Sequence, residues 1–348
     1  MGEILLTQFV VDLFIIGISF IILNLASSLT INNAIKVSNI TRLGKTAVGF
    51  SLLAFSTSLP ELTVALIAAL SGDAPIAVGN VLGSNIVNIS VVIGLSAILL
   101  YFTRPKSRGS EAHKWQNRAA NLIPSFAKSE LSSIHFGLFI SSIIPLILIY
   151  VSQATWVVGL ILISIFVTYM YQLSKVRIPS ENDDTSKEGK NKLRRYIFFT
   201  VLGATGVVAS AYFLVESAVS IARFIGISQT VIGATIIAFG TSLPELALDL
   251  KAILKGHSAL AFGDIIGSSF INITLILGIS FFVPALVGSP IRINMSVFQN
   301  LIVFSIITNL LFWYFLSRER INWREGAIFL FIYALFLATT FGAIQPQS

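Results

Sequence analysis

The chain has 348 residues, 55% hydrophobic and only 11% charged, with a mean hydropathy of +0.86. A soluble domain carries about 25% charged residues, so a water-facing surface and intrinsic disorder are both excluded, and the composition is that of a polytopic helical membrane protein. The formal net charge of +7 has to be set against membrane topology before nucleic acid is considered. With no cysteine there is no disulfide, thiol catalysis or thiolate metal site.

A helix needs about 20 apolar residues to cross a bilayer. Ten stretches qualify, at roughly 9–29, 46–70, 76–101, 134–151, 154–174, 196–222, 229–254, 259–282, 297–316 and 326–344. They are too long and too uniformly apolar for the alternating strands of an outer-membrane barrel. The first is preceded by Glu3 and by no Lys or Arg, which argues against a signal peptide. Of the 23 basic residues, all but Arg223 and Arg292 lie in connections after odd-numbered spans. Basic loops stay in the cytoplasm, so the expectation is a multi-pass protein of the plasma (inner) membrane with both termini outside. Two connections are long. Residues 102–133, with His113, Trp115 and Pro124, are expected as a solvated loop, and 175–195 as a hydrophilic linker. The predicted organisation is therefore 1–174, the linker 175–195, and 196–348.

The most informative feature is an internal repeat. Residues 49–96, GFSLLAFSTSLPELTVALIAALSGDAPIAVGNVLGSNIVNISVVIGLS, align without a gap with 233–280, GATIIAFGTSLPELALDLKAILKGHSALAFGDIIGSSFINITLILGIS. The pairs Ala54/Ala238, Thr57/Thr241, Ser58/Ser242, Pro60/Pro244, Glu61/Glu245, Ser84/Ser268 and Asn88/Asn272 are identical. An odd number of spans separates the copies, so they enter the membrane with opposite orientation. Inverted repeats of this kind belong to alternating-access transporters, with the substrate site where the copies meet near the midplane. The predicted fold is all-α, two inverted five-helix halves with discontinuous second and seventh helices.

Thr-Ser-Leu-Pro-Glu falls inside the second and seventh spans. Proline lacks an N–H and clashes with the preceding turn, so each helix should break just before Pro60 and Pro244. Ser58 with Glu61, and Ser242 with Glu245, also fit a capping box. That explains a break but not its depth. An ionised Glu at the bilayer centre is costly and usually functional. In Gly-Ser-x-x-x-Asn, Ser84 and Asn88 share one helix face, as do Ser268 and Asn272. Gly79, Gly83, Gly263 and Gly267 read as close-packing positions. Every donor in the set is oxygen, which suits Ca²⁺ and Na⁺ rather than zinc or copper.

The paired GTSLPE and GSxxxN segments resemble the alpha repeats of the sodium/calcium exchanger family, within the cation/calcium exchanger superfamily, and the likeness covers the whole membrane region. The resemblance implies antiport of Ca²⁺ against Na⁺. It implies Glu61 and Glu245 as central Ca²⁺ ligands, with Asn88 and Asn272 completing the middle. Thr57, Ser58, Ser84 and the Ala54 carbonyl would serve one flanking Na⁺ site, and Thr241, Ser242, Ser268 and the Ala238 carbonyl the other. It implies that the first and sixth spans slide as a gating pair; Asp12 and Glu216 on them are read as structural or interfacial. The chain departs from the family in three places. Relatives can carry Asp where Asn272 stands, Ser56 replaces a common Gly, and Asp264 stands opposite Asn80. Asp264 is expected to cap the eighth helix, with an accessory cation or proton site as the other reading. Asp249, opposite Ala65, is expected in a cytoplasmic-side vestibule or near the water.

The nearest rival is a Ca²⁺/H⁺ antiporter on the same fold; the Thr57 and Thr241 hydroxyls favour Na⁺. Potassium co-transport and a passive channel are weaker readings. An enzyme is not expected, because no complete hydrolase or intramembrane protease motif is present. No cofactor is expected beyond the transported ions. The expected partners are those ions, with H⁺ as a further one, and the lipid bilayer, not nucleic acid, with a single chain as the working unit.

Overall fold

The structure is a computed structural model and describes residues 2–41, 43–70, 74–103, 122–123, 128–150, 153–173, 188–224, 238–288 and 293–344. It is almost entirely helical. Helix α1 covers Gly2–Thr41. Helix α2 (Lys45–Thr57) meets α3 (Leu59–Leu70) at Ser58 with a bend of 47°. Helix α4 runs through Ala74–Val87, a π-helical turn at Asn88–Val92, and Ile93–Phe102. Then come α5 (Lys128–Tyr150), α6 (Trp156–Leu173) and α7 (Glu188–Phe224). The short α8 (Ala238–Thr241) precedes α9 (Leu243–Leu254). Helix α10 (Ser258–Leu286) contains a π turn at Asn272–Ile276 and is followed by α11 (Gln299–Ser317) and α12 (Trp323–Ile344). A small antiparallel pair, Gln153↔Asn294 and Ala154↔Ile293, ties the α5–α6 connection to the segment before α11.

Among the described residues, seven of these helices are long and apolar enough to span a bilayer, and the bent α2–α3 pair passes the same test when its two parts are taken together. They fall into two groups. Only 17% of the most apolar window of α1, and 22% of those of α6 and α12, is buried; for α4 and α10 the share is 67%. The outer helices turn Phe14, Leu25, Phe198 and Phe331 outward. The inner ones bury Ser, Thr, Asn, Asp and Glu side chains. Apolar outside and polar within is the arrangement of a chain whose solvent is lipid, and the protein is a multi-pass integral membrane protein.

The core consists of α2–α3, α4, α9 and α10. Helix α10 crosses α2 at close range because glycines face it. A Cβ on Gly267 would stand 2.6 Å from the backbone Cα and O of Phe50, and one on Gly263 would overlap Thr46. Helices α1 and α7 pack along each other, flanking this core. Two expectations of the sequence change here. Residues 188–195, expected in the linker, form the first turns of α7. Residues 128–133, expected in the 102–133 loop, open α5; the rest of that loop lies mostly outside the described residues, as does 229–237 of the seventh span.

Candidate ion-binding site

The site grows from two hairpins, α3/α4 and α9/α10. In each, proline stands at the head of the first helix, where its missing N–H costs nothing, and the glutamate follows within the first turn. Glu61 and Glu245 are both 0% exposed. The preceding Ser58 and Ser242 leave helical geometry, at φ −80° ψ 8° and φ −91° ψ 6°, which is the predicted break. The capping box does not form. No side chain caps α9 at Ser242, and the Ser58 hydroxyl instead donates across to Glu245 Oε1 of the other copy at 3.5 Å.

The threonine contacts are equivalent in the two copies, whereas the serine contacts are not. Ser84 Oγ donates to Glu61 Oε1 at 3.5 Å. Thr57 Oγ1 donates to Asp264 Oδ1 at 3.4 Å, and Thr241 Oγ1 donates to Asn80 Oδ1 at 3.4 Å. Thr57 also reaches the Leu53 and Ala54 carbonyls, and the Ala54 carbonyl accepts the Ser58 N–H at 3.0 Å; a carbonyl has a second lone pair for another partner. Ala238 opens α8 and Thr241 closes it. Among the described residues, no hydrogen-bond partner reaches Glu61 Oε2, Glu245 Oε2, Ser268 Oγ, Asn272 Oδ1 or either polar atom of the Asn88 side chain. All of these side chains are buried.

Hydroxyl-to-carboxylate hydrogen bonds normally close to about 2.5–2.7 Å, whereas these oxygens stand 3.4–3.5 Å apart. Two oxygens about 2.4 Å from one cation, at right angles about it, stand about 3.4 Å apart. Oxygens at this spacing can also be bridged by one such cation. The π turns begin at Asn88 and Asn272, the equivalent asparagines, and π turns collect at functional sites.

Of the twelve residues singled out from the sequence, the described contacts join Glu61 to Ser84, and Glu245 to Ser58. The structure adds Asn85, which the sequence reading passed over. Its Nδ2 donates to the Ser269 carbonyl at 3.2 Å, and its Oδ1 accepts from Asn272 Nδ2 at 2.9 Å, linking the two copies. The signal was available, since Asn85 and Ser269 occupy equivalent places beside Ser84 and Ser268.

Two other expectations fail. Asp264 does not cap α10: that helix starts at Ser258 with His257 as its N-cap, and Asp264 lies within its second turn, 0% exposed. Of the two readings of Asp249, in a cytoplasmic-side vestibule or near the water, the second does not hold: it is 0% exposed one turn beyond Glu245. Asp12, on α1, accepts from Gln8 and from Ser220 of α7, so it joins the two flanking helices, while Glu216 is exposed. At the α9–α10 turn, burial and then the charges of Lys45 and Lys255 lower the His257 pKa.

The pattern of the sodium/calcium exchanger protein family matches residues 11–175 and 195–342, nearly the whole chain. The chain belongs to the sodium/calcium exchanger protein family. Among its relatives in that family, the "Sodium/calcium exchanger MaX1" of Methanosarcina acetivorans is 29% identical over 350 aligned positions, covering 95% of this chain and 99% of that one. The "Putative antiporter CaxA" of Alkalimonas amylolytica is 32% identical over 81% of this chain and 84% of its own. The solved structure of the sodium-calcium exchanger NCX_Mj superposes with a TM-score of 0.76 at 24% identity, covering 95% of this chain and 99% of that one. This family member therefore shares its fold with an exchanger of known structure. The paired broken helices at Ser58 and Ser242 are built within that fold.

Proposed function

We propose that the chain is a secondary antiporter that exchanges Ca²⁺ for Na⁺ across the membrane by alternating access, with Glu61 and Glu245 as joint Ca²⁺ ligands. The observation that carries this reading is the pair of fully buried glutamates at the heads of α3 and α9, each beside a hydroxyl at 3.5 Å and each with an oxygen that no partner among the described residues reaches. Two carboxylates neutralise one Ca²⁺. The hydroxyls of Thr57, Ser58, Ser84, Thr241, Ser242 and Ser268, with the Ala54 and Ala238 carbonyls and the Asn88 and Asn272 amides, supply neutral oxygens for Na⁺ on either side. Because the site is limited by charge, Ca²⁺ and Na⁺ exclude each other, and that exclusion is the physical basis of exchange.

The proposed topology has ten spans in two inverted halves, 1–174 and 196–348, with both termini outside and the basic loops in the cytoplasm. The described helices support it: the bent pair is one span, Ile134–Tyr150 is a shorter apolar helix, and α9 is the described end of the seventh span. Helices α1 and α7 would slide together over the core, tied to it through Lys251, whose Nζ donates to Asn24, and Lys255, whose Nζ donates to Ser28. No resident cofactor takes part, and a single chain suffices.

The test is Ca²⁺ uptake into proteoliposomes under an imposed Na⁺ gradient with pH clamped. Uptake should follow the Na⁺ gradient. Flux that ignores Na⁺ and follows an imposed pH gradient would replace this reading with Ca²⁺/H⁺ antiport.

A further inference from the structure

The α9/α10 hairpin carries a second pair of acids. Its two helices run antiparallel on either side of the Lys255–His257 turn. Glu245 and Ser268 are equidistant in sequence from that turn, so they share one level. Asp249 and Asp264 are likewise equidistant and share the next level, one helical turn or about 6 Å nearer the turn. Both are 0% exposed. Among the described residues, no N–H or O–H donor reaches either oxygen of Asp249, or Asp264 Oδ2. Asp264 Oδ1 receives the Thr57 hydroxyl at 3.4 Å, the same wide spacing found at the glutamates.

Charge decides what this pair can hold. Unpaired buried carboxylates are costly, several kcal/mol each in practice. The lysines on the same hairpin point elsewhere: Lys251 is engaged by Asn24 and Lys255 by Ser28. A monovalent ion would leave one negative charge buried, whereas a divalent cation neutralises both. Two carboxylates and a hydroxyl at this spacing are also ligands a hard divalent cation accepts.

We propose that Asp249 and Asp264, with the Thr57 hydroxyl, form a second divalent-cation subsite, one helical turn from the glutamate pair toward the Lys255–His257 turn. It rests on the reading of Glu61 and Glu245 as a Ca²⁺ site, and adds a neighbouring station through which Ca²⁺ passes between that site and the end of the hairpin that carries Lys251 and Lys255. The equivalent level of the other hairpin holds Ala65 and Asn80, so the station exists on one side only.

The experiment is equilibrium binding of radioactive Ca²⁺ to the purified full chain in Na⁺-free buffer. The wild type should take a second equivalent of Ca²⁺, and Asp249→Asn and Asp264→Asn should each lose one equivalent and keep the other. The two variants guard against a folding failure in one of them, with the melting temperature as a check. Glu61→Gln with Glu245→Gln tests the underlying reading separately: if that variant keeps every equivalent, the glutamate assignment fails whatever the aspartates do. A wild type that binds a single equivalent would overturn the subsite. So would Asp variants that keep the wild-type number, or Asp variants that change only Na⁺ binding or proton release.

Discussion

In the α3/α4 hairpin the level beyond Glu61 is filled by Ala65 and Asn80, and in the α9/α10 hairpin the level beyond Glu245 holds Asp249 and Asp264. The backbone around them is alike, with a break at serine, a proline-led helix and a π turn at the equivalent asparagine. The threonine contact is repeated too, Thr241 to Asn80 and Thr57 to Asp264. What changes is the acceptor. Asn80 also gives its amide to the Glu61 carbonyl at 3.4 Å, which a carboxylate cannot do. The scaffold thus fixes the position of the glutamates and the hydroxyls in both copies, while the next level varies its charge without disturbing the fold.

Five variants break or sharpen that comparison. The largest effect is expected from carrying the acids into the first hairpin. Ala65→Asp with Asn80→Asp should lower stability by roughly 3–5 kcal/mol at alkaline pH without divalent cation, the cost of uncompensated buried charge. Added Ca²⁺ should restore much of the lost melting temperature. No rescue by Ca²⁺ would mean that hairpin register alone does not make a cation site. Next is the link between the copies: Asn85→Ala strands the Ser269 carbonyl and the Asn272 amide. A loss of about 1–3 kcal/mol is expected in thermal unfolding.

Glycine packing should be just as unequal. Gly267→Ala drives a Cβ to 2.6 Å from Phe50 backbone and should destabilise by about 1–3 kcal/mol. Gly83→Ala, whose Cβ meets no atom within 4 Å among the described residues, should stay within about 0.5 kcal/mol. Equal losses would show that both hairpins are packed alike. The smallest effect is expected at the turn. Burial, then Lys45 and Lys255, lower the His257 pKa, which favours the neutral imidazole. His257→Gln should change stability by less than about 0.5 kcal/mol and leave the pH profile of transport unmoved.

The parts of this arrangement that were legible in the sequence are those set by local chemistry. Proline placed the breaks beside Ser58 and Ser242, hydropathy placed the long apolar helices, and identity between the copies picked out Glu61, Glu245, Ser84 and Asn88 before any contact was known. The features that escaped depend on which helices face each other. The Ser58–Glu61 spacing suggested a cap on its own helix, but the hydroxyl serves Glu245 of the other copy. Asp264 was expected as a cap although it lies inside the 259–282 stretch; the helix starts at Ser258, with His257 at its N-cap. Asp249 and Asp264 lie on separate helices, and only the length of the intervening turn sets them at one level. Asn85 was hidden by its neighbour Ser84, since sequence does not say which of two adjacent polar residues turns toward the other repeat.

The most direct test of the central claim is Ca²⁺ transport by Glu245→Gln in proteoliposomes under a fixed Na⁺ gradient, with folding checked by melting temperature. The substitution keeps the size and the hydrogen-bonding shape and removes one charge of the pair. A folded variant whose Ca²⁺ flux falls by more than the roughly 10–100-fold that loss of an outer-shell partner costs is the predicted result. Flux near the wild-type rate would contradict the account.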